Sequence, residues 1–187
     1  MIEETRGKLI AAARRAFGTK GFAKTSMDHF TSEIGLTRGA LYHHFGSKEG
    51  LLQAVVQQIE DEVAVKLDAV SSAAATSWEG LLARCHLYTR LALVPEIRQI
   101  ILQDTRAVFG DVPLPNQLVG IDAIARILVQ LIAEKTIRPV DPQVTARMIY
   151  GMVTEASFWI AEVDADQAQR LNEATIAMDS MLAGLKG

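Results

Sequence analysis

Residues 25–50, TSMDHFTSEIGLTRGALYHHFGSKEG, constrain this chain more than any other stretch. Thr25 and Asp28 match the capping pattern [ST]-x-x-[DE], which predicts a helix beginning at Ser26. Met27, Phe30 and Ile34 recur at helical spacing and predict one apolar face. Gly35 breaks that pattern. It can take the left-handed conformation that a sharp helix-to-helix turn requires, with Leu36 following as a buried plug. Thr37 is a good N-cap for a second helix running from Arg38 to about Phe45. Ala40, Leu41 and Phe45 suit its inner side, and Arg38, Tyr42, His43 and His44 its outer side. Gly46 ends this helix and Ser47 caps the next. The whole reads as a helix-turn-helix with a short, basic, aromatic-bearing second helix.

Such a helix fits the major groove of DNA with its N-terminal residues on base edges. Arg38 stands at that end, where it can read guanine or hold a phosphate, and Thr37 can offer a hydroxyl to either. Gly39 has no side chain, so backbone can approach backbone closely. Tyr42 and His43 can donate to phosphate oxygens. Lys48 opens the next helix, where backbone N–H groups also favour an anion. A helical corner with these residues merely solvated is the alternative, since the same geometry occurs without DNA.

The run from Thr25 to Leu52, with ARRAFGTKGF (Ala13 to Phe22) before it, closely resembles the N-terminal domain of the TetR family of bacterial transcriptional regulators. The resemblance covers roughly the first third of the chain, and its core is GALYHHFGSKE. It implies that Thr25, Ser26, Thr37, Arg38, Gly39, Tyr42, His43, His44 and Lys48 lie at or near DNA. Thr31 and Ile34 depart from the family, which usually carries small alanines there, at the helix–helix contact.

The net charge of −3 argues at first against nucleic acid. Its distribution argues the other way. Residues 1–50 hold 8 Lys+Arg against 5 Asp+Glu, and the remainder hold 11 against 17. A mildly basic head on an acidic body is expected when one domain meets phosphate, and so modest an excess predicts strong salt dependence. The single cysteine, Cys85, permits no intrachain disulfide and reads as a buried small apolar residue. No signal-peptide core or membrane-length apolar run is present, so a cytoplasmic protein is expected.

The rest of the chain reads as helical, for a total of about nine helices. The predicted division is 1–47 for DNA binding and 48–187 for effector binding and dimerisation. Helix 1 is expected from Glu3 to Phe17, stopped by Gly18 and Gly21. Helix 4 follows Ser47 for about six turns as a lever, and Ser71 to Ser77 reads as a linker. Thr76 with Glu79 forms a second capping box for a helix ending before Pro95. Further helices are expected at about 96–108 and 116–135, with a loop at 110–115 between them. Asp141 followed by Pro142 marks the start of a helix to about Val163, and Asp166 with Gln169 caps a last one.

The penultimate helix is apolar on two sides and needs two partners. Val144, Met148, Met152 and Trp159 suit one side; Ile149, Val153, Ala156 and Ile160 suit the other and are assigned to a second subunit. Leu171, Ala174, Met178, Met181 and Leu185 form a heptad-like seam on the last helix. The resemblance implies the same homodimer, through a four-helix bundle. It also implies a small-molecule pocket in the second domain but carries no ligand residues across. Candidates for that pocket are the polar and aromatic residues interrupting apolar helices: His86, Tyr88, Arg90, Gln103, Asp104, Arg106, Phe109, Glu155, Phe158 and Trp159.

No cofactor, metal site or catalytic residue is expected. The histidines and Cys85 lack metal spacing, and there is no nucleotide-binding glycine loop or nucleophile elbow. The sequence thus predicts an all-α, homodimeric DNA-binding regulator, a repressor released by a small effector. An activator or protein-partnered regulator is an alternative. So is a helical enzyme or binding module with a relict helix-turn-helix.

Overall fold

The computed structural model describes residues 2–110, 116–163 and 165–186, and every regular element among them is helical. The helices are α1 (Ile2–Lys20), α2 (Met27–Glu33), α3 (Arg38–Phe45), α4 (Lys48–Ala73) and α5 (Ser77–Arg90), the last extended by a 3-10 turn, Leu91–Leu93. Next come α6 (95–109), α7 (Gln117–Ala133), α8 (Pro142–Ala161) and α9 (Gln167–Ala183). The helix α6 is composite. An α turn (Pro95–Ile97) leads into a π-helix (Arg98–Asp104), and Thr105–Phe109 returns to α. Apolar spacing alone predicts an unbroken α-helix there. Of the loop expected at 110–115, all but Gly110 lies outside the described residues.

Contacts divide the chain into two units, Met1–Glu60 with Pro95–Pro113, and Asp61–Val94 with Leu114–Gly187. The boundary expected at residue 47 therefore does not coincide with them. The first part of α4 and all of α6 go with the N-terminal helices. Charge and small residues explain why α6 belongs there. Arg14 of α1 forks onto Glu96, its Nε and Nη2 donating to the two carboxylate oxygens at 2.8 and 2.9 Å. Gly18 lies opposite, and a Cβ on it would already touch Glu96 at 3.5 Å. Gly18 therefore does not stop α1, which runs on to Lys20 and ends at Gly21, where φ is +79°. Leu9, Ala13, Phe17, Phe30, Leu41, Leu52, Val55 and Ile100 are buried within this unit.

Local chemistry sets most helix ends. Thr76 and Glu79 form the full reciprocal capping box at the start of α5. Asp141 accepts the Val144 N–H at 2.8 Å, with Pro142 in the first turn of α8. Since α4 continues to Ala73, the linker before α5 is only 74–76. Asp166 precedes α9 with φ +66° and makes no side-chain cap, contrary to the expected pairing with Gln169. Thr76→Ala removes one of the two reciprocal bonds and should cost about 1 kcal/mol. Both tryptophans, Trp78 and Trp159, lie in the second unit. Urea unfolding followed by their fluorescence should show a lower midpoint, and an unchanged midpoint would count against the cap.

The second unit is built around Leu81, Ile121, Leu128, Leu131, Ile149, Val153, Met178 and Leu182. Cys85 is buried in this core, and burial pushes its thiol up to about 12, so it carries no thiolate reactivity at neutral pH. Arg84 is also buried and donates to Asp68 at 2.6 Å.

Here the structure corrects one assignment. Ile149, Val153 and Ile160 of α8 are buried inside their own chain, and Ala156 is half-buried, so this side does not await a partner. The open side carries Val144, 56% exposed, and Met148, 72% exposed. Both sides are apolar, so periodicity could not say which one the chain would keep. The α9 seam divides likewise. Met178 is buried, Leu171, Ala174 and Leu185 are half-buried, and Met181 is exposed together with Ile176.

Candidate nucleic-acid interface

The turn between α2 and α3 is a Schellman motif. The Leu36 N–H donates to the Thr31 carbonyl at 2.9 Å, and the Gly35 N–H donates to the Ser32 carbonyl at 3.1 Å. Gly35 occupies the left-handed position, with φ +68°. Leu36 is half-buried, less than the plug expected of it. Met27 and Phe30 form the buried side of α2 as expected, while Ile34 is the half-buried cap residue. Thr31 is buried at the helix contact. Its hydroxyl donates to the Met27 carbonyl at 2.9 Å, which satisfies the polar group where an alanine would need no partner.

The capping box expected at Thr25 and Asp28 does not form. The helix starts one residue later, with Ser26 at the cap position and no side-chain cap bond. Thr25 is buried and donates instead to the Gly21 carbonyl at 2.8 Å. Asp28, freed from the box, turns toward α3.

Thr37 caps α3 as expected, its hydroxyl oxygen accepting the Ala40 N–H at 3.2 Å. Leu41 is the buried anchor of the helix. The other side is open: Thr37, Arg38, Gly39, Tyr42 and His43 are exposed, and His44 is half-buried. Arg38 is held ready on this face. Its Nη1 donates to both Asp28 carboxylate oxygens at 3.2 Å, and its Nη2 donates to the Tyr42 hydroxyl at 3.1 Å. The guanidinium carbon sits 5.3 Å from the centre of the Tyr42 ring. Its pKa is raised, first by the Tyr42 hydrogen bond and then by the Asp28 charge. His43 and His44 meet edge to face, with centroids 5.5 Å apart.

Two glycines of this region have opposite meanings. A Cβ on Gly50 would collide with the Phe45 carbonyl, so the end of α3 needs glycine there to lie against the start of α4. A Cβ on Gly39 would meet only the Thr37 hydroxyl, at an ordinary 3.7 Å. The fold gains nothing from glycine inside α3, where it costs about 0.5–1 kcal/mol relative to alanine. Gly39→Ala should therefore stabilise the first unit by about that amount and weaken DNA binding. Thermal melting and a DNA titration on the same sample check both signs, and a variant that binds better would remove Gly39 from the interface.

Residues 78–185 match the Tetracyclin repressor-like C-terminal domain, and residues 9–55 match the family of bacterial regulatory proteins, tetR family. The chain belongs to the TetR family. A TetR-family transcriptional regulator from Pectobacterium atrosepticum shares its structure with a TM-score of 0.93 and 45% identity, over 99% of this chain and 95% of that one. The HTH-type transcriptional regulator TtgR of Pseudomonas putida is 41% identical over 59 residues, which are 32% of this chain and 28% of TtgR. UidR of Escherichia coli is 39% identical over 59 residues, 30% of its own length. The chain thus spans under a third of the length of these curated relatives.

In this TetR-family chain the other candidate residues fall in several places. Lys48 does not simply face outward. Its ammonium donates to the Phe22 carbonyl and lies 4.2 Å from the centre of that ring, and burial lowers its pKa. Of the effector candidates, Gln103, Asp104, Arg106 and Phe109 belong to the first unit, and the other six to the second. Asp104 is buried against Phe22, while Gln103 and Arg106 are exposed and Phe109 is half-buried. In the second unit His86 pairs with Asp179 at 2.6 Å, and Tyr88 meets Tyr150 edge-on at 6.1 Å. Arg170 covers Trp159 at 4.7 Å, Phe158 is half-buried, and Arg90 and Glu155 are exposed.

Two open clefts of the second unit are lined by other residues. The larger, about 580 Å³, lies among Ser71, Thr76, Ser77, Ile127, Gln130 and Glu134. The smaller is bordered by Asp122, Arg126, Val129 and Pro142. No group of three or more potential metal ligands occurs among the described residues, nor any helix long and apolar enough to cross a membrane.

Proposed function

We propose that the protein is a homodimeric transcriptional repressor that reads a palindromic operator with α3 and is released by a small-molecule effector. The outer face of α3 carries this reading. It combines an exposed Arg38 braced by Asp28 and Tyr42, an exposed face of hydroxyl and imidazole groups, and a glycine for which the fold has no use. Arg38, Tyr42, His43 and the Thr37 hydroxyl meet the duplex, with Ser26 and His44 beside them. Thr25 and Lys48 act from behind, as braces of the preceding turn.

A single head reads only a few base pairs, so a palindrome requires two. Val144 and Met148 on α8, with Ile176 and Met181 on α9, supply exposed apolar side chains on the two helices that the family uses for its dimer. Gly151 of α8 is exposed and a Cβ on it would meet nothing within 4 Å, so its own chain sets no need for glycine there. A second helix lying across that position would. The unbroken α4 carries the chain from the reading head into the second unit's residues, and a coupling of about 1–3 kcal/mol would change operator affinity 5–150-fold.

The test is binding of the purified protein to the DNA just upstream of its own coding region, at several salt concentrations. Tight, salt-sensitive binding to a palindrome supports the reading and supplies an assay for effectors. Recovery of no preferred duplex, either there or from a random DNA pool, would overturn it.

A further inference from the structure

The π-helix in α6 and the carboxylate at its end are used by nothing so far described. In a regular α-helix, positions three, four and seven residues after Glu96 would share its side. These are Gln99, Ile100 and Gln103. The π turn inserts an extra residue into that repeat. The result is visible in the burial. Asp104 is turned inward at 9% exposure, and Gln103 is left exposed.

Asp104 meets the reading head at one peptide group. Its Oδ2 accepts the Phe22 N–H at 2.8 Å, and its Oδ1 accepts the Gln99 side-chain amide at 3.0 Å. The carbonyl of the same residue, Phe22, accepts the Lys48 ammonium from α4. The Phe22 backbone is thus gripped on both sides by charged groups from two different helices. It follows Gly21, whose φ is +79° and whose carbonyl takes the Thr25 hydroxyl. Two residues after Thr25, α2 begins. A buried carboxylate is costly and would not be kept for packing alone. Burial accordingly raises the Asp104 pKa, against the pull of the Phe22 and Gln99 hydrogen bonds and the Lys48 charge.

We propose that Asp104 is a positioning residue for DNA reading: by holding the Phe22 N–H it fixes the turn from α1 into α2, and so the placement of α2 and α3 against the duplex. The π turn is what aims it. The role rests on the DNA-reading assignment made above.

The experiment uses the full chain and a duplex that the wild-type protein selects from a random pool. Asp104→Ala, Asp104→Asn and Asp104→Glu are titrated against it, with amide exchange at Phe22 followed by NMR. The alanine variant should lose about tenfold in affinity and expose the Phe22 amide to exchange, because a buried donor has lost its acceptor. Asparagine keeps an acceptor in the same place without the charge and should restore both properties. Glutamate keeps the charge but moves the acceptor by one methylene and should not. Wild-type affinity in the alanine variant overturns the proposal, as does rescue by glutamate without rescue by asparagine. Should the alanine variant fail to fold, the asparagine and glutamate variants decide alone, and equal affinities overturn it. A wild-type chain that selects no duplex sinks the DNA-reading assignment instead.

Discussion

Met148→Asp should turn the protein into a monomer and remove tight operator binding. Met148 is the most exposed large apolar side chain on α8, and Val144 is one turn away on the same side. At a twofold interface each copy would bury a carboxylate with no partner, and an effective penalty of several kcal/mol per ion applies twice. A monomer then engages one half-site at a time and loses the advantage of linked heads, typically 10²–10⁴ in affinity. Sedimentation should show half the mass with an unchanged helical spectrum, since the side chain contributes little to its own fold. Ile149→Asp is the control, because it places the charge in the core and should unfold the second unit. A Met148→Asp protein that stays dimeric would rule out this side of α8.

Arg38→Ala should cost about 1–3 kcal/mol per head in operator affinity if Arg38 reads a base, and a dimer would carry the loss twice. The loss should fall on particular base positions. A uniform loss across sequences, with a salt slope reduced by about one per head, would assign Arg38 to a phosphate instead. The fold should be little affected. The bonds that Arg38 makes in the free protein are to exposed groups, Asp28 and Tyr42, and such pairs contribute little to stability.

What was legible in the sequence was whatever a few neighbouring residues settle among themselves. Thr37, the Thr76–Glu79 pair and Asp141 with Pro142 cap as their spacing predicts, because the bond partners lie within one turn. Gly35 was legible for the same reason. Thr25 with Asp28 has the same pattern as Thr76 with Glu79 and still fails. Gly21 offers Thr25 a carbonyl in the preceding turn, and α3 offers Asp28 an arginine ten residues on. Periodicity shows that α8 has two apolar sides but not that the chain itself buries Ile149, Val153 and Ile160, since choosing between them requires knowing what α7 presents. The π turn left no mark at all. Ile100, Ile101 and Leu102 are apolar in succession and tolerate either register, so in the sequence alone Asp104 reads as a polar interruption of an effector pocket.

The folded-back arginine has a consequence for how the protein would travel on a chromosome. Over non-cognate DNA, Arg38 already has a carboxylate and a hydroxyl as partners. A phosphate can also take the guanidinium fork, but it approaches with the Asp28 carboxylate, a second anion, already in place. A guanine edge, which accepts two parallel N–H groups at once, replaces what is given up. Each head would therefore slide with one cation withheld, dwell briefly on wrong sequence, and commit the arginine only on arrival. Arg38 would then add no phosphate contact to the salt dependence of wandering, and on a guanine edge it would add sequence preference, which would favour a fast search without weakening the final complex.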